Sequence, residues 1–299
     1  MSDILRAIDL SKRFRKAVVL DRMNMAVPEG SVFALVGPNG AGKTTTIKVL
    51  MNIHEPSSGH SEVFGRDSRR LSPRDFTQIG YVSENQEMPE WMTVEYFMSY
   101  LKPFYPEWDD ARAGELLRQF DLPLDRKLRH LSRGMRMKAA LASSLAYRPR
   151  LIVLDEPFTG LDPLVRDELI ESLLDSADGA TVLISSHDLA EIESFASHVG
   201  YLDRGRLQFS EEMTSLAERF REIEITLAGP SPPPAQWPAT WFNAETSAAV
   251  VRFVDTQFQQ ERTLAEVRRL FGEVQGISVN SMPLRAIFVT LAKAGRKAA

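Results

Sequence analysis

The segment GPNGAGKTT, from Gly37 to Thr45, has the residue types and spacing of a phosphate-binding loop. Gly37 and Gly42 let backbone N–H groups wrap around phosphate oxygens, Lys43 can reach the β and γ phosphates, and the Thr44 hydroxyl can ligate Mg²⁺. An apolar run, SVFALVG, precedes the loop and a helical pattern follows it, which is the context such a loop requires. We predict a nucleoside triphosphate site with contacts from Gly37, Pro38, Asn39, Gly40, Ala41, Gly42, Lys43, Thr44 and Thr45.

A second chemical pattern is LIVLDEP, a continuous apolar run that ends in the carboxylates of Asp155 and Glu156. A buried strand would deliver Asp155 to its carboxyl end, where it can hold Mg²⁺. Glu156 follows directly and can orient or deprotonate an attacking water. Alone, the pattern could be a strand that ends in two solvated acids. Together with a phosphate-binding loop, it indicates hydrolysis of the nucleotide.

His187 ends a further apolar strand, TVLISSH. A histidine at the carboxyl edge of a parallel sheet, beside a phosphate loop, can donate a hydrogen bond to the γ-phosphate. A lone histidine is more often structural, but its place after the other two motifs favours a catalytic position. The candidate catalytic residues are therefore Glu156, His187 and Lys43.

The elements between these motifs predict the sheet that must bring them together. Strand patterns at 79–83, 150–157, 181–187 and 199–207 alternate with helical patterns, which implies a parallel sheet. Residues 1–35 contain shorter strand patterns separated by turns. The α/β class follows from this alternation.

A domain layout can be drawn from the same patterns. We predict an ATPase domain over residues 1–220, with a helical subdomain at about 85–135, and a small α+β accessory domain over 221–299. In the helical part, Val94, Phe97, Met98 and Leu101 share one helical face. The proline-rich stretch at 229–238 predicts a stiff connection.

Composition limits the classes of function. The 299 residues have a formal net charge of −4 and no cysteine, so there is no global attraction to nucleic acid and no disulfide or thiolate metal site. No apolar run approaches the roughly 20 residues that a membrane-spanning helix needs. The N-terminal stretch lacks the apolar core of a signal peptide. We therefore expect a soluble chain whose membrane function passes through a partner.

The segment LSRGM, Leu131 to Met135, completes a set of motifs with a family pattern. GPNGAGKTT, LSRGM, LIVLDEP, GLDP and SSHD, in this order, resemble the ATP-binding-cassette (ABC) ATPases of transporters over roughly the first 210 residues. The resemblance implies a P-loop NTPase core with a parallel sheet, an N-terminal antiparallel β part, a helical subdomain and, here, a small C-terminal α+β appendage. It also implies ATP and Mg²⁺ as cofactors.

Further roles come from this resemblance alone. Such ATPases act as head-to-tail dimers, so Ser132 and Gly134 would contact the γ-phosphate bound to a second nucleotide-binding subunit, and a homodimer is expected here. Asp162 would line the dimer interface. Phe14 matches the aromatic residue that stacks on adenine, although a core aromatic is the alternative. The bound nucleotide would thus contact Phe14, Glu84, Ser132, Gly134, Asp155 and Asp162 besides the phosphate loop.

Two residues depart from the family pattern. Glu84 stands where a glutamine usually reaches Mg²⁺; it could be a third metal ligand beside Thr44 and Asp155, or a solvated loop acid. Arg133 stands in the signature LSRGM where LSGGQ is usual; it could face solvent, the partner or the nucleotide. Ser132 remains a good N-cap for the helix that follows, so we expect a working signature.

These observations predict an ATPase subunit that powers a membrane transporter, and the C-terminal segment resembles the extensions of bacterial exporter-type cassettes. An integral membrane permease on a separate chain would dock near Glu84 and the helices of 85–130, placing this subunit at the cytoplasmic face of a bacterial membrane. Trp91, Met92 and Phe97 are either docking or core residues. A soluble ABC ATPase acting on ribosomes or DNA is the alternative, and a regulator with little turnover is a third. The sequence does not name the transported substrate.

Overall fold

The computed structural model describes residues 2–84 and 86–297, with side chains through residue 291. Its strands are β1 (Asp3–Phe14), β2 (Ala17–Pro28), β3 (Val32–Val36), β4 (Ser58–Val63), β5 (Arg66–Asp67), β6 (Ile79–Ser83), β7 (Leu151–Asp155), β8 (Thr181–Ser186), β9 (His198–Asp203), β10 (Arg206–Glu212), β11 (Arg221–Leu227), β12 (Trp241–Ser247), β13 (Val250–Asp255) and β14 (Val274–Ser281). Its α-helices are α1 (Lys43–Leu50), α2 (Pro73–Phe76), α3 (Val94–Leu101), α4 (Asp110–Gln119), α5 (Arg133–Leu145), α6 (Pro163–Ser176), α7 (Leu189–Ile192), α8 (Met213–Arg219), α9 (Gln260–Phe271) and α10 (Leu284–Lys297). Short 3₁₀ turns occupy Ser68–Arg70, Lys102–Phe104 and Leu128–His130.

The central sheet, in the order β10–β9–β3–β8–β7–β6, places the chemical motifs at one edge. From β9 to β6 neighbouring strands are parallel, and β7 and β8 are buried along their whole length. Val36 lies beside Ser186, and Asp155 lies beside both Ser185 and Ser83. Because carboxyl ends of parallel strands meet at one edge, the residues that follow them emerge together. This confirms the predicted parallel sheet.

An antiparallel sheet in the order β2–β1–β4–β5 shares one apolar core with α1 and the central sheet. Leu5 and Leu10 come from the antiparallel sheet, Leu35 and Val153 from the parallel sheet, and Ile47 from α1. All five side chains are fully or almost fully buried. This core fixes both β3 and α1, and therefore holds the two ends of the loop between them.

Helices α3, α4 and α5 lie between β6 and β7 in the chain. The side chains of Thr93, Asp109 and Ser132 accept hydrogen bonds from backbone N–H groups in the first turn of α3, α4 and α5. The predicted apolar face of α3 is buried at Val94, Phe97 and Met98, whereas Leu101 is half-buried.

The three residues expected to be either docking or core residues differ in their burial. Met92 and Phe97 are buried, so they are core. Trp91 is 61% exposed, so the core interpretation is wrong for this residue. Its ring packs against that of Tyr96, with 5.6 Å between centroids.

The stretch VGYLDRGRL, predicted as one strand, is interrupted by a turn. Arg204 and Gly205 have φ angles of 48° and 76°, a left-handed backbone that ends β9 and starts β10. Gly205 suits this turn because a Cβ there would lie 2.4 Å from the carbonyl oxygen of Val19. The strand interpretation therefore holds on either side of the turn but not across it.

The chain divides into two compact units between Ser210 and Glu211, so that α8 belongs to the second unit. The second unit contains an antiparallel sheet in the order β12–β13–β11–β14 together with α9 and α10. Its core includes Ile225, Trp241, Phe253 and Val267, and the Trp241 and Phe253 rings stack at 3.7 Å. Strand β12 was not identified from the sequence because polar residues alternate along most of it. Along the described residues, no helix combines the length and apolarity needed to cross a bilayer.

Candidate nucleotide site

A cleft of about 420 Å³ lies where β3, β6, β7 and β8 end. Its lining contains Val19, Thr159 and the following residues that the sequence analysis singled out: Asn39, Gly40, Gly42, Lys43, Thr44, Thr45, Glu84, Glu156 and His187. The fold therefore brings residues from the loop after β3, the loop after β6, and the ends of β7 and β8 to one place. Three motifs that lie far apart in the chain share a single cavity.

The phosphate loop needs glycine at two positions for different reasons. At Gly37 a Cβ would lie 2.1 Å from the carbonyl oxygen of Leu202, so only glycine fits against β9. Gly42 has a φ of 111° and directly precedes α1 without a side chain to cap that helix. The N–H groups of the first turn of α1 can therefore bind an anion.

Lys43 is the buried cation of the cleft, with only 5% of its surface exposed. Its Nζ donates to the carbonyl oxygen of Gly37 at 2.7 Å and lies 3.0 Å from Oε1 of Glu156. A weaker contact reaches the carbonyl of Pro38 at 3.3 Å. A buried ammonium requires anionic or carbonyl partners. Phosphate oxygens of a bound nucleotide would therefore compete with these three oxygens for Nζ of Lys43.

Glu156 directly follows β7, and four groups hold it in place. Its Oε2 accepts hydrogen bonds from Thr159 at 3.0 Å and from His187 Nδ1 at 2.7 Å, while Oε1 faces Lys43. The backbone N–H donates to Ser185 Oγ at 2.9 Å, and the residue has a φ of 51°. Burial raises the pKa of Glu156, but hydrogen bonds from His187 and Lys43 outweigh it, so the net pKa lies below its usual value.

His187 is oriented by this carboxylate. Because an ionised carboxylate only accepts, Nδ1 carries the proton of the bond to Glu156. In the neutral ring Nε2 is then an acceptor. Donation from Nε2 to a phosphate requires the imidazolium form, whereas donation from Nδ1 requires the ring to leave Glu156.

Asp155 lies one residue before Glu156 in a different environment. Its Oδ1 accepts hydrogen bonds from Thr44 Oγ1 at 3.0 Å and Ser185 Oγ at 2.7 Å, and the residue is 4% exposed. Burial raises the pKa of Asp155, and these two hydrogen bonds only partly offset the effect. Ser185 thus links the carboxylate of Asp155 to the backbone N–H of Glu156, a contact that the sequence analysis did not identify although SSHD contains Ser185.

Glu84 lies in the loop after β6 and belongs to the same edge. Its backbone N–H donates to the carbonyl oxygen of Asp155 at 2.9 Å. Its Oε1 accepts a hydrogen bond from Nη2 of Arg133 at 2.8 Å. Glu84 is therefore paired with Arg133 and is not a free loop acid. The contact with Arg133 joins the two residues that depart from the motif pattern.

Ser132, Gly134 and Asp162 do not line this cleft. Ser132 caps α5 through a hydrogen bond from the N–H of Met135, as predicted, and Asp162 caps α6 through a hydrogen bond from the N–H of Val165. Gly134 is buried against α6, where a Cβ would lie 2.7 Å from Cγ1 of Val165. The local packing and capping of α5 and α6 therefore explain why serine, glycine and aspartate stand at these three positions.

Phe14 ends β1 and is 41% exposed. Its ring makes an edge contact with His54, with 5.3 Å between centroids, and lies 4.8 Å from Nζ of Lys12. The core interpretation is therefore wrong, and the exposed ring face is compatible with stacking on a base.

Comparison with known proteins identifies the family of the site. A family model described as ABC transporter matches residues 20–159. The daunorubicin/doxorubicin resistance ATP-binding protein DrrA of Streptomyces peucetius is 30% identical over 308 residues, covering 96% of this chain and 92% of that protein. The lantibiotic transport ATP-binding protein SrtF of Streptococcus pyogenes is 33% identical and covers 70% of this chain and 91% of SrtF. This chain belongs to the ABC transporter ATP-binding family.

A solved ATP-binding subunit of an ABC transporter has the same fold as this ABC ATPase. The two are 31% identical with a TM-score of 0.65, over 72% of this chain and 92% of the solved chain. The predicted family, fold class and ATPase function are confirmed: the subunit binds and hydrolyses ATP to power transport. The alternative of an ATPase that remodels ribosomes or DNA has no support among these relatives.

Proposed function

We propose that this ABC ATPase drives export through a head-to-tail dimer bound to a separate permease at the cytoplasmic face of a membrane. The observation that carries the catalytic part is the position of Glu156. Its carboxylate contacts both the buried cation Lys43 and His187 at the edge where the phosphate loop ends. The lowered pKa keeps this group ionised at neutral pH, so it can accept a proton from water.

The geometry of Lys43, Glu156 and His187 supports one role in ATP hydrolysis for each. Entry of the triphosphate transfers Lys43 from Glu156 to phosphate oxygens, and the N–H groups at the start of α1 hold the β-phosphate. Released from Lys43, Glu156 orients the attacking water and takes its proton. When its hydrogen bond to Glu156 breaks, His187 donates a hydrogen bond to the γ-phosphate.

Magnesium fits the oxygen ligands at the end of β7. Thr44 Oγ1 and the Asp155 carboxylate are hydrogen-bonded to each other at 3.0 Å, and hydroxyl and carboxylate oxygens are ligands that Mg²⁺ prefers. The raised pKa of Asp155 indicates a buried carboxylate that a cation would stabilise. Glu84 would be the third protein ligand. When bound, the metal would neutralise charge on the β and γ phosphates.

A second subunit would complete the nucleotide site. Ser132, Gly134 and Asp162 lie outside the cleft lining of their own subunit, which supports their predicted contact with nucleotide on a partner. The N-terminus of α5 begins at Arg133 and carries partial positive charge suited to a γ-phosphate. Phe14 would supply an exposed ring for adenine.

A cavity of about 750 Å³ beside the loop after β6 supports the docking of a permease. Its apolar lining is contributed by Met88, Leu128, Leu131 and Met137, and charged residues including Glu87 and Arg136 lie around it. A lining that contains both apolar and charged side chains fits a short amphipathic helix of a partner. Glu84 lines both this cavity and the nucleotide cleft. A change in the nucleotide cleft can therefore be transmitted through Glu84 to a permease bound in the cavity.

Export is the direction that the relatives support. DrrA is named for resistance to daunorubicin and doxorubicin, and its similarity extends over both units of this chain. SrtF is named for lantibiotic transport. Drug resistance and lantibiotic transport, as these names state them, both fit export.

Affinity purification from detergent-solubilised membranes tests the permease. The tagged chain should recover a membrane protein with several spanning helices. Met88→Asp should lower that recovery at least severalfold, while Leu124→Asp, also an apolar-to-acid change but outside the cavity lining, should not. Recovery of ribosomes or DNA in place of a membrane protein would overturn the transport assignment. Unchanged recovery by Met88→Asp would move the docking surface elsewhere.

A further inference from the structure

Two departures from the ABC motif pattern contact each other within one subunit. Arg133 stands in the signature LSRGM and Glu84 in the loop after β6, 49 positions apart in the chain. Nη2 of Arg133 lies 2.8 Å from Oε1 of Glu84. Glu84 adds a negative charge where the motif pattern has a neutral glutamine, and Arg133 supplies the compensating positive charge in the signature.

Glu84 has a fixed backbone and a side chain that can turn. Its N–H is hydrogen-bonded to the carbonyl of Asp155, so its Cα stays beside the end of β7. The side chain lines the nucleotide cleft and the neighbouring 750 Å³ cavity, where Arg133 also lies. Because the backbone is fixed, any move of the carboxylate from Arg133 to the cleft is a rotation about the side-chain bonds of Glu84.

Arg133 is positioned by a second neighbour, the turn before α6. At Gly160, where φ is 72°, a Cβ would lie 2.8 Å from Nη1 and 3.2 Å from Cζ of Arg133. The guanidinium therefore lies against the backbone of the turn that follows Glu156, between this turn and Glu84. Arg133 connects the start of α5 with two loops of the nucleotide site.

We propose that Arg133 is a positioning residue that holds Glu84 away from the metal site of its own subunit until nucleotide and metal bind. The proposal rests on the proposed function of Glu84 as a metal ligand. The Glu84 carboxylate is hydrogen-bonded to the guanidinium at 2.8 Å, whereas Thr44 and Asp155 are hydrogen-bonded to each other. Ligation of a metal beside Thr44 would therefore draw Glu84 off Arg133, so the two contacts compete. Both side chains are partly exposed, 48% for Arg133 and 30% for Glu84, so this pair is weak enough to open.

The opening of the pair would also free Arg133. In the assembled dimer the start of α5 faces the nucleotide of the partner, so the guanidinium released from Glu84 lies near an anion. Binding of metal and nucleotide in one site would thereby change the signature of the same subunit. Arg133 would link the two sites of the dimer without contacting the metal.

Metal binding by the full-length chain tests the competition directly. With Mn²⁺ as the probe and ATPγS as the nucleotide, electron paramagnetic resonance gives the Mn²⁺ concentration at half-saturation. Arg133→Gln should lower it about two- to fivefold, the range expected for an exposed ion pair. Arg133→Lys, which keeps the charge, should stay near wild type. Arg148→Gln is the matched control, because Arg148 is similarly exposed and pairs with Asp109 and Asp178 outside both cavities.

The same titration in a Glu84→Gln background separates the pair from general charge loss. There Arg133→Gln should have no effect, because the carboxylate it competes for is absent. An equal shift in both backgrounds, or no shift in either, would overturn the proposal. Loss of ATPase activity in Arg133→Gln with unchanged Mn²⁺ binding would instead assign Arg133 to the partner's nucleotide. A wild-type chain that binds no Mn²⁺ with ATPγS would overturn the proposed function as well.

Discussion

Two adjacent carboxylates, Asp155 and Glu156, have pKa values displaced in opposite directions by their surroundings. Asp155 is buried with two hydroxyl donors, and burial raises its pKa. Glu156 is also partly buried, but Lys43 and His187 outweigh that burial and its pKa is lowered. Adjacent acids in different environments can therefore perform different tasks, one as a metal ligand and the other as a base.

Glu156→Gln should stop hydrolysis while nucleotide still binds. The amide keeps the shape of the side chain but cannot take a proton from water, so phosphate release should fall about 100-fold or more. Phosphate release at saturating ATP, together with equilibrium ATP binding, measures both effects. Glu115→Gln, an exposed change on α4, should hydrolyse ATP normally. A Glu156→Gln chain with wild-type turnover would show that the base is another residue.

Asp155→Asn should stabilise the nucleotide-free chain while it removes Mg²⁺-dependent hydrolysis. A carboxyl whose pKa is raised in the folded state destabilises that state at pH values where it is ionised, so the gain should be present at neutral pH. It should disappear as the pH falls below about 4, the usual aspartate range. A gain of about 1 kcal/mol would raise Tm by about 2–4 °C. Thermal unfolding at pH 7 and at low pH checks the sign, and a lower Tm at pH 7 would contradict it.

Helix α5 shows how one element serves packing and binding together. Its N-cap at Ser132 and its close approach to α6 at Gly134 are both needed to build the helix where it stands. We also propose that the signature presents these two residues to a partner. Stability and activity of variants must therefore be measured separately.

Gly134→Ala should destabilise the chain, because the added methyl group would overlap Val165. Overpacking of this kind costs roughly 1–3 kcal/mol. Val165→Ala in the same chain opens the space, so the double variant should recover the Tm of Val165→Ala alone and at least half of its ATPase activity. Recovery of Tm without activity would show that the nucleotide site requires glycine in addition to the packing against α6.

At the scale of the whole molecule, the proposed dimer has two composite sites, and each draws on both subunits. Lys43→Ala removes the phosphate-loop cation, and Ser132→Asp keeps an N-cap for α5 while placing a negative charge at the signature. Each variant alone should be inactive, since every site in its homodimer contains a defect.

A mixture of Lys43→Ala and Ser132→Asp chains should regain ATPase activity. Each mixed dimer contains one site with an intact phosphate loop and an intact signature, so an equal mixture should reach about a quarter of the wild-type rate per chain. The rate should also rise with protein concentration. Thr93→Asp, the same change at the N-cap of α3, should remain active by itself. A mixture as inactive as its components would contradict the head-to-tail arrangement.

The sequence by itself determined the residues that carry chemistry, because their types and spacing are fixed by local geometry. A phosphate loop must follow a strand and begin a helix, and Asp155 and Glu156 must follow a buried strand. The cap at Ser132 is equally local. All of these were identified without contacts between distant segments.

Only the tertiary structure decided which distant side chains meet. Ser185 bonds to Asp155 and to the N–H of Glu156 because β7 and β8 are in register, and no spacing along the chain encodes that register. Position 134 must be glycine because α5 packs beside α6, where Val165 leaves no room for a Cβ. Arg133 contacts Glu84 because α5 also packs beside the end of β6. Such contacts depend on the relative positions of whole elements, which are set by burial of the apolar core and not by any one motif.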